Sequence, residues 1–187
     1  MEELENFIKS TIQVDTSALV TIVSNFKVRS VAKGKFILKQ GHIATDYFFI
    51  KSGAIRIYYD ADDKQITGWI ALENEFFTEL SSLKSQKPSR FTIQTLEDTV
   101  LLTITNDKME KLYKQYPEWQ QFGRLVWETA FLKVIDGILD YQTKTAEERY
   151  LTALERSDLL QRVPLKHLSS YLGITPTSLS RLRKNIK

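Results

Sequence analysis

The stretch VPLKHLSSYLGITPTSLSRLRKNIK, at residues 163–187, decides how this chain is interpreted. Its first part carries leucines at helical spacing, namely Leu165, Leu168 and Leu172. Gly173 is placed to end that helix, because glycine adopts a positive φ at little cost. Thr175 then supplies an N-cap, and Pro176 suits the first position of a second helix. The pattern predicts two short helices joined by a tight turn, which is a helix-turn-helix.

The second of these helices has an apolar side and a polar side. The apolar side consists of Leu179, Leu182 and Ile186. The polar side carries hydroxyl and basic groups and no acid, namely Thr177, Ser178, Ser180, Arg181, Arg183 and Lys184. Such a surface suits phosphate oxygens and base edges in a DNA major groove. The alternative is a solvated amphipathic helix, but the combination of hydroxyl and arginine groups favours DNA recognition.

The same stretch resembles the helix-turn-helix of the CRP/FNR family of bacterial transcription regulators, and is most similar to a branch with the signature YLGITPxSLSRxRK. By this resemblance the expected phosphate contacts are Lys166, Thr175 and Ser178, and the expected base contacts are Thr177 and Arg181. Arg183 and Lys184 are further basic residues expected on DNA phosphates. Pro176 stands where better-known members carry a base-contacting arginine. Their DNA sequence preference is therefore not expected here.

Composition allows one large domain or two small ones and excludes several kinds of site. Of the 187 residues, 42% are hydrophobic and 11% are aromatic, which is enough for a folded core. The chain has no cysteine, so disulfides, zinc-thiolate sites and thiolate iron–sulfur centres are excluded. The iron–sulfur oxygen sensors of the resembled family are excluded with them. The two histidines, His42 and His167, lie far apart in the sequence and indicate no metal site.

Charge separates the C-terminal segment from the rest of the chain. Residues 144–187 carry nine Lys/Arg and four Asp/Glu, a net charge of +5, which leaves −2 for the other 143 residues of a chain with +3 overall. A basic segment on a near-neutral body is typical of nucleic-acid-binding proteins. No apolar run approaches the roughly 18 residues of a membrane span, and the N-terminus is acidic. We therefore expect a cytoplasmic protein without a membrane partner.

The apolar residues recur at helical spacing over the first 24 residues, and after that they alternate with a period of two residues. Residues 2–24 have helical spacing, with Asp15 or Thr16 as the N-cap of a second helix. Short alternating segments follow up to residue 105 at roughly ten-residue spacing, which predicts an antiparallel sandwich or roll. With Gly41 and Gly53 as turn residues, the segment DYFFIKSGAIRIYY resembles the β-roll of cyclic nucleotide-binding domains.

In that domain family a phosphate-binding cassette interrupts the strands, and here it matches Thr78, Glu79, Leu80, Ser89 and Arg90. The resemblance implies that the glutamate holds a ribose hydroxyl and that an arginine holds the cyclic phosphate. Thr78 replaces a glycine, and its Cβ restricts close approach. An ungapped alignment puts Ser89 at the arginine position, with Arg90 one residue away and on the other face. Without a guanidinium partner for the phosphate, we expect no usual binding of cyclic AMP. Alternatively, Glu79 is an acid stabilised at a helix N-terminus and Arg90 is a surface charge.

A long helix is predicted from Pro117 to about Thr143, after a short helix capped by Asn106 or Asp107. Its apolar residues form two opposed stripes. The first consists of Leu125, Leu132, Ile135 and Leu139, and the second of Trp127, Phe131, Val134, Ile138 and Tyr141. Since a surface helix needs only one stripe, the other predicts a partner, and seven-residue spacing suits a coiled-coil-like seam. Members of the resembled family dimerise through this helix. The alternative is a helix buried within a monomer.

These observations predict an α+β chain in three parts. They are an antiparallel β-roll sensor at residues 1–116, a dimerisation helix at 117–143 and a helix-turn-helix domain with a reduced wing at 144–187. The predicted seam residues are Leu125, Leu132, Ile135 and Leu139. Leu159 and Leu160 are expected to pack beneath the last two helices.

The expected function is a homodimeric, DNA-binding transcription regulator. Its expected partners are double-stranded DNA, a second copy of the chain and, from the family resemblance, RNA polymerase. No cofactor is identified, and an effector other than a cyclic nucleotide remains open. The alternatives are a regulator gated by cyclic AMP or another small effector, and an interaction module whose basic tail is incidental. An enzyme is disfavoured because the sequence shows no nucleophile–histidine pair, metal cluster or glycine-rich phosphate loop.

Overall fold

The structure is a computed structural model that describes residues 1–62, 64–155 and 161–185. Two helices come first, α1 (Glu2–Thr11) and α2 (Thr16–Ser24). The strands are β1 (Lys27–Val31), β2 (Phe36–Leu38), β3 (Asp46–Ser52), β4 (Ile55–Ala61), β5 (Lys64–Ala71), β6 (Phe76–Phe77), β7 (Thr92–Thr95) and β8 (Thr99–Thr105). The further described helices are α3 (Leu80–Ser85), α4 (Asn106–Gln115), α5 (Pro117–Thr143), α6 (Ala146–Glu155), α7 (Leu165–Leu172) and α8 (Pro176–Asn185).

The strands form two four-stranded sheets, in the order β1-β8-β3-β6 and β2-β7-β4-β5. Every pairing between the described strands is antiparallel. Gly53, between β3 and β4, has a φ of 105°, and a Cβ there would lie 2.5 Å from the hydroxyl oxygen of Thr99. Only glycine fits this turn, as its place between two predicted strands indicated. The predicted α+β class with an antiparallel roll is confirmed.

Among the described residues, the buried apolar side chains form three clusters. The first lies between the β1-β8-β3-β6 sheet and helices α1, α2, α4 and α5, where the rings of Trp119 and Phe122 stack 4.5 Å apart. The second fills the roll between the sheets. The third joins the roll to the C-terminal helices and includes Ala54, Ile70, Leu96, Leu168, Leu172 and Leu179. Burial of each large apolar side chain contributes about 1.5–3 kcal/mol, so this third cluster holds the C-terminal helices against the roll.

Two helix caps test the local predictions. Asp15 caps α2, because its carboxylate accepts hydrogen bonds from the backbone N–H groups of Ser17 and Ala18. The prediction that Asn106 or Asp107 caps the short helix α4 was wrong. Asn106 already lies within the helix, and the preceding Thr105 provides the side-chain cap. Threonine is also among the residues preferred at the N-cap.

Helix α5 is covered over only part of its length. Its 27 residues extend about 40 Å at about 1.5 Å per residue. Trp119 and Phe122 are buried, and Trp127 packs beside them against the first cluster. Beyond that point large apolar residues of both stripes are exposed, namely Phe131, Leu132, Val134, Ile135, Ile138, Leu139 and Tyr141. The second stripe was expected to pack on its own domain. It does so only at its start, because the roll and its flanking helices contact only the first part of α5.

Three predicted packing positions, Leu159, Leu160 and Ile186, lie outside the described residues. Their contribution to the C-terminal core stays a prediction. Across the described ranges, no helix has both the length and the apolar character needed to cross a bilayer.

Candidate functional site

The predicted helix-turn-helix is formed by α7, the turn at Gly173 and α8. Gly173 has φ 70° and ψ 30°, and the N–H of Ile174 donates to the Ser169 carbonyl at 3.0 Å. This left-handed glycine ends α7 as predicted. Thr175 starts α8, since its hydroxyl oxygen accepts the backbone N–H of Ser178 at 3.1 Å. The hydroxyls of Thr175 and Ser178 are also 2.9 Å apart, so the two side chains fix the first turn of the helix together.

Helix α8 turns its apolar side inward and its polar side outward. Leu179 is fully buried in the third cluster, and Leu182 packs against that cluster. The predicted DNA contacts that are exposed are Lys166, Thr175, Thr177, Ser178, Arg181 and Lys184. Arg183 is partly buried. The structure therefore brings the predicted residues to one continuous part of the fold, while their division into phosphate and base contacts stays a prediction.

Arg149 ties this motif to the end of the long helix. Its Nε donates to the Leu172 carbonyl at 3.1 Å, and its Nη1 donates to the Lys144 carbonyl at 2.6 Å. Its guanidinium also lies over the ring of Tyr141, 4.9 Å from the centroid. A Cβ on Gly173 would lie 2.6 Å from that same ring. The turn of the helix-turn-helix is thus packed directly against the C-terminal end of α5.

An ion pair network attaches the C-terminal segment to the roll. Arg162 donates to both carboxylate oxygens of Glu73, at 2.7 and 2.5 Å, and to the carboxylate of Glu97. Glu73 also accepts the backbone N–H of Gly53 at 2.8 Å. These hydrogen bonds, with that of Arg162 first, lower the pKa of Glu73 to about 2. A two-pronged arginine–carboxylate contact is stronger and more directional than a simple charge pair.

Helix α7 also covers the edge strand β5. The N–H of Thr67 donates to the Ser170 hydroxyl at 3.0 Å, and that hydroxyl donates to the Gln65 carbonyl at 2.7 Å. An edge strand presents unpaired backbone groups that invite pairing with another chain. The single hydroxyl of Ser170 satisfies two of them.

Arg56 lies beneath this contact with no carboxylate bonded to it in the described chain. It is 2% exposed, and it donates to the side-chain oxygens of Gln94 and Gln65. Its guanidinium also stacks 3.9 Å from the ring centroid of Tyr58. Burial, with added repulsion from Arg56 and Lys166, lowers the pKa of His167 to about 4. His167 is half-buried on α7.

A cavity of about 620 Å³ opens between the roll and α5. Its walls come from β4, β5, β6, the start of α3 and the α5 residues around Ala130, with Phe7 and Thr11 of α1 at one side. Its aromatic lining residues are Phe7, Trp69, Phe76, Phe77, Phe91 and Trp127. This size and lining are typical of a site for a small organic molecule.

The predicted cassette residues do not converge on this cavity as a set. Thr78, Glu79 and Leu80 line it, whereas Ser89 and Arg90 are not among its lining residues. Glu79 caps α3, which agrees with the reading of this residue as a helix N-terminal acid. Arg90 is exposed, which agrees with the surface-charge alternative. Whether any of the five contacts an effector stays a prediction.

The four predicted dimer residues also divide into two groups. Leu132, Ile135 and Leu139 are exposed on α5. Leu125 packs against the first core cluster and lines the cavity, so its own protomer already covers part of it. In the described chain, no three His, Asp or Glu side chains come together as a metal site.

Sequence reasoning missed the residues that attach the C-terminal segment to the roll. Arg162 meets Glu73 across 89 positions and Glu97 across 65 positions. Ser170 reaches β5 across more than 100 positions. No local pattern marks such partners. The sequence offered one signal for this attachment, the basic residue Arg162 shortly before the first leucine of the motif.

Residues 28–116 match the cyclic nucleotide-binding domain family. Two transcriptional activators resemble most of the chain. Anr of Pseudomonas aeruginosa is 27% identical over 173 residues, which cover 82% of this chain and 68% of that protein. FnrA of Stutzerimonas stutzeri is 26% identical over 184 residues, which cover 90% of this chain and 72% of that protein.

The fold is similar to that of FixK2 from Bradyrhizobium japonicum, with a TM-score of 0.76 and 20% identity over 86% of this chain and 84% of that one. That likeness extends from the roll into the C-terminal helices, beyond the segment that the domain family matches. In sequence and in fold, this chain is similar to transcription regulators of the CRP/FNR type.

Proposed function

We propose that this regulator binds double-stranded DNA as a homodimer, with α8 of each protomer in the major groove. The observation that carries the proposal is the outward surface of α8 and its turn, which presents Thr177, Arg181 and Lys184 and no acidic side chain. Two-fold symmetry places the two copies of α8 about 34 Å apart on a near-palindromic site. The protein acts in the cytoplasm, and RNA polymerase is its second macromolecular partner.

The roles that we propose within the surface follow the family resemblance and agree with the chemistry of the side chains. Thr177 and Arg181 read base edges, since arginine can donate two hydrogen bonds to guanine. Lys166, Arg183 and Lys184 bind phosphates as positive charges. Thr175 and Ser178, whose hydroxyls fix the first turn of α8, add phosphate contacts next to the helix N-terminus. The positive end of the helix dipole favours a phosphate there.

The dimer is supported by the exposed second half of α5. Phe131 and Leu132 are 64% and 61% exposed, and five further large apolar side chains up to Tyr141 are exposed with them. Large apolar side chains exposed together in this number mark an interaction site. Leu132, Ile135 and Leu139 form the seam with the partner helix, since their spacing suits knobs-into-holes packing. We propose the three-part organisation accordingly, with the sensor at 1–116, the dimer helix at 117–143 and the DNA-binding domain at 144–187.

Selection of bound sites from a random DNA pool, followed by gel shifts on the selected site, tests this function. A near-palindromic consensus is expected, with half-site centres about one helical turn apart. Binding to selected and random DNA should both weaken as salt rises, because phosphate binding releases counterions. The selected site should remain favoured at every salt concentration. Equal binding to both DNAs would instead favour an interaction module with an incidental basic tail.

A further inference from the structure

We propose that Arg149 sets the spacing between the two DNA half-sites, by fixing the turn of the helix-turn-helix to the end of α5. Arg149 lies on α6 and is a positioning residue, since it acts through α8 and not on DNA itself. The proposal rests on the proposed function, because a half-site spacing has a meaning only for a homodimer on DNA. Its basis is a guanidinium bound to the ends of two helices, a short capped link between α5 and α6, and the greater distance of the roll contacts from α8.

The guanidinium of Arg149 caps two helices at once. Helix α7 ends at Leu172, whose carbonyl accepts a hydrogen bond from Nε at 3.1 Å. At the end of α5, the carbonyls of Lys144 and Tyr141 accept from Nη1 at 2.6 and 3.4 Å. The last carbonyls of a helix have no partner within it and form the negative end of its dipole, so a cation stabilises them. Because one side chain serves both helices, it fixes the end of α7 relative to the end of α5.

The ring of Tyr141 completes this contact. The guanidinium lies 4.9 Å from the ring centroid, which is within the range of a cation–π contact. On the same ring, a Cβ at Gly173 would lie 2.6 Å from Cε2, so the turn packs on α5 without clearance. Two residues separate this glycine from Pro176, where α8 begins. We call Tyr141, Arg149, Leu172 and Gly173 the α5–α7 joint.

The link between α5 and α6 adds little freedom to the joint. Helix α5 ends at Thr143 and α6 begins at Ala146, so two residues connect them. The N–H of Thr145 donates to the Glu148 carboxylate at 2.7 Å, and the N–H of Glu148 donates to the Thr145 hydroxyl at 3.3 Å. This reciprocal pair is a capping box. Arg149 is the next residue, so its backbone is held beside α5 and its guanidinium starts from a fixed position.

The contacts between the C-terminal segment and the roll lie farther from α8. Arg162 precedes Pro176 by 14 residues, and Ser170 contacts β5 from within α7. The roll side packs on α5 around Trp127, which is about 20 Å along the helix from Tyr141 at about 1.5 Å per residue. The α5–α7 joint is therefore the shortest connection between the proposed dimer helix and α8.

The joint determines the distance and the angle between the two copies of α8. In a dimer that pairs through α5, the path from one α8 to the other passes through both joints. One extra base pair between half-sites moves the second half-site by about 3.4 Å and turns it by about 35°. A rigid joint lets both copies of α8 bind at one spacing, whereas a loose joint lets them bind at several.

Gel shifts with the full-length chain test this on duplexes that carry two copies of the selected half-site, at the selected spacing or with one or two base pairs more or fewer. The wild type should bind the selected spacing about 10²-fold or more tightly than the others, because only there do both modules bind together. Arg149→Ala should reduce this ratio by about tenfold or more. The half-site sequence that it prefers should stay the same. The ratio is the decisive readout, since a loss of folded protein lowers binding equally at every spacing.

Asp140→Asn is the matched control. It removes the neighbouring ion pair with Lys144, at 2.9 Å, and none of the contacts of the α5–α7 joint, so its ratio should equal that of the wild type. If Arg149→Ala does not fold by circular dichroism, Tyr141→Ala removes the ring from the joint and should lower the ratio in the same way. Sedimentation velocity verifies that each variant remains a dimer.

A wild-type ratio in the folded variant would overturn the proposal. A lowered ratio in Arg162→Ala but not in Arg149→Ala would also overturn it, because the roll would then set the spacing. A wild type without a preferred spacing would contradict the DNA-bound dimer itself and this proposal with it. The failure of the proposed function is therefore distinguished by the wild type alone.

Discussion

Helix α7 and the part of α5 around Phe131 and Leu132 both present apolar side chains beyond the first core cluster, yet only α7 buries them within its own chain. Leu168 and Leu172 of α7 are buried against Ile70 and Leu96 of the roll. The same contact also satisfies polar groups, through Ser170 and β5. Around Phe131 and Leu132, α5 makes no such polar contact among the described residues, and both side chains are largely in solvent.

The contact of α7 with the roll is therefore a complete interface within the chain, whereas the exposed part of α5 is a surface that still needs a partner. A surface with apolar packing, backbone hydrogen bonds and an ion pair has every component of a folded core. A surface with apolar side chains alone gains stability only when another apolar surface covers it. The roll and the C-terminal helices therefore form one block, and α5 supplies the face that we propose joins two copies of it.

The largest expected effect comes from a substitution at the centre of the exposed apolar surface of α5. Leu132→Asp should convert the dimer to monomers, because a carboxylate in the seam would be buried without a partner. Sedimentation velocity measures the change. Loss of the second DNA-binding module should also weaken binding to the selected site by about 10²- to 10⁴-fold.

Leu151→Asp is the matched control, since Leu151 is an exposed leucine of α6 outside the proposed seam. It should leave both the dimer and DNA binding intact. A dimer that survives Leu132→Asp would move the seam to the other stripe, around Phe131 and Ile138.

Local signals explain which parts of the fold were predictable. Gly173 and Thr175 act on their own neighbours, so the turn and the cap of α8 could be read from the sequence. Gly53 belongs to the same class, as a glycine between two alternating segments. The residue types at such positions are limited by backbone geometry alone. The structure therefore confirms them without correction.

Long-range features could not be predicted because their partners are distant in the chain. Arg162 and its two glutamates follow no periodicity, and both glutamates lie outside the strands, where no alternation indicates a partner. Helical periodicity placed Phe131 and Ile138 on one stripe with Trp127, but it carries no information about where the roll ends. The aromatic cavity wall was missed for the same reason, since its rings come from five separate segments.

The interface between the C-terminal segment and the roll should lose most stability when Arg162 is replaced. Arg162→Ala leaves Glu73 and Glu97 partly buried without their donor, and should lower the free energy of unfolding by about 1–3 kcal/mol. Urea unfolding at neutral pH measures this loss. The pKa of Glu73, held at about 2 by the Arg162 hydrogen bonds, should rise toward its usual 4.5 and can be followed by NMR.

Arg124→Ala is the control for this change. Arg124 pairs with Glu128 one turn along α5, at 3.0 Å, but both side chains are more than half exposed. Such a pair should contribute no more than about 0.5 kcal/mol. Equal effects of the two substitutions would mean that the Arg162 network does not stabilise the interface.

Helix α8 differs from α5 in its exposed surface, which is polar on α8 and apolar on α5. Arg181→Ala should cost about 1–3 kcal/mol of binding to the selected site and much less on random DNA. Lys184→Ala should weaken both by similar factors and reduce the salt slope by about one. Gel shifts over a range of salt concentrations measure both variants. Parallel losses on the two DNAs for Arg181→Ala would assign it to phosphate binding.

The smallest expected effect is a pH dependence of the complete interface that originates at His167. Burial first, then Arg56 and Lys166, lowers its pKa to about 4 from the usual 6.5, so the packed state favours the neutral ring. The stabilising contribution is therefore fully present above pH 6.5 and is lost as the pH falls toward 4. Glu73 stays ionised through most of this window, since its own contribution is lost only between pH 4.5 and 2. Because His167 is only half-buried, solvent screening should limit the change to about 1 kcal/mol or less. Urea unfolding of the wild type and of His167→Gln at neutral pH and near pH 5 measures it. The wild type should lose stability relative to the variant on acidification, whereas parallel losses would place the titrating group elsewhere.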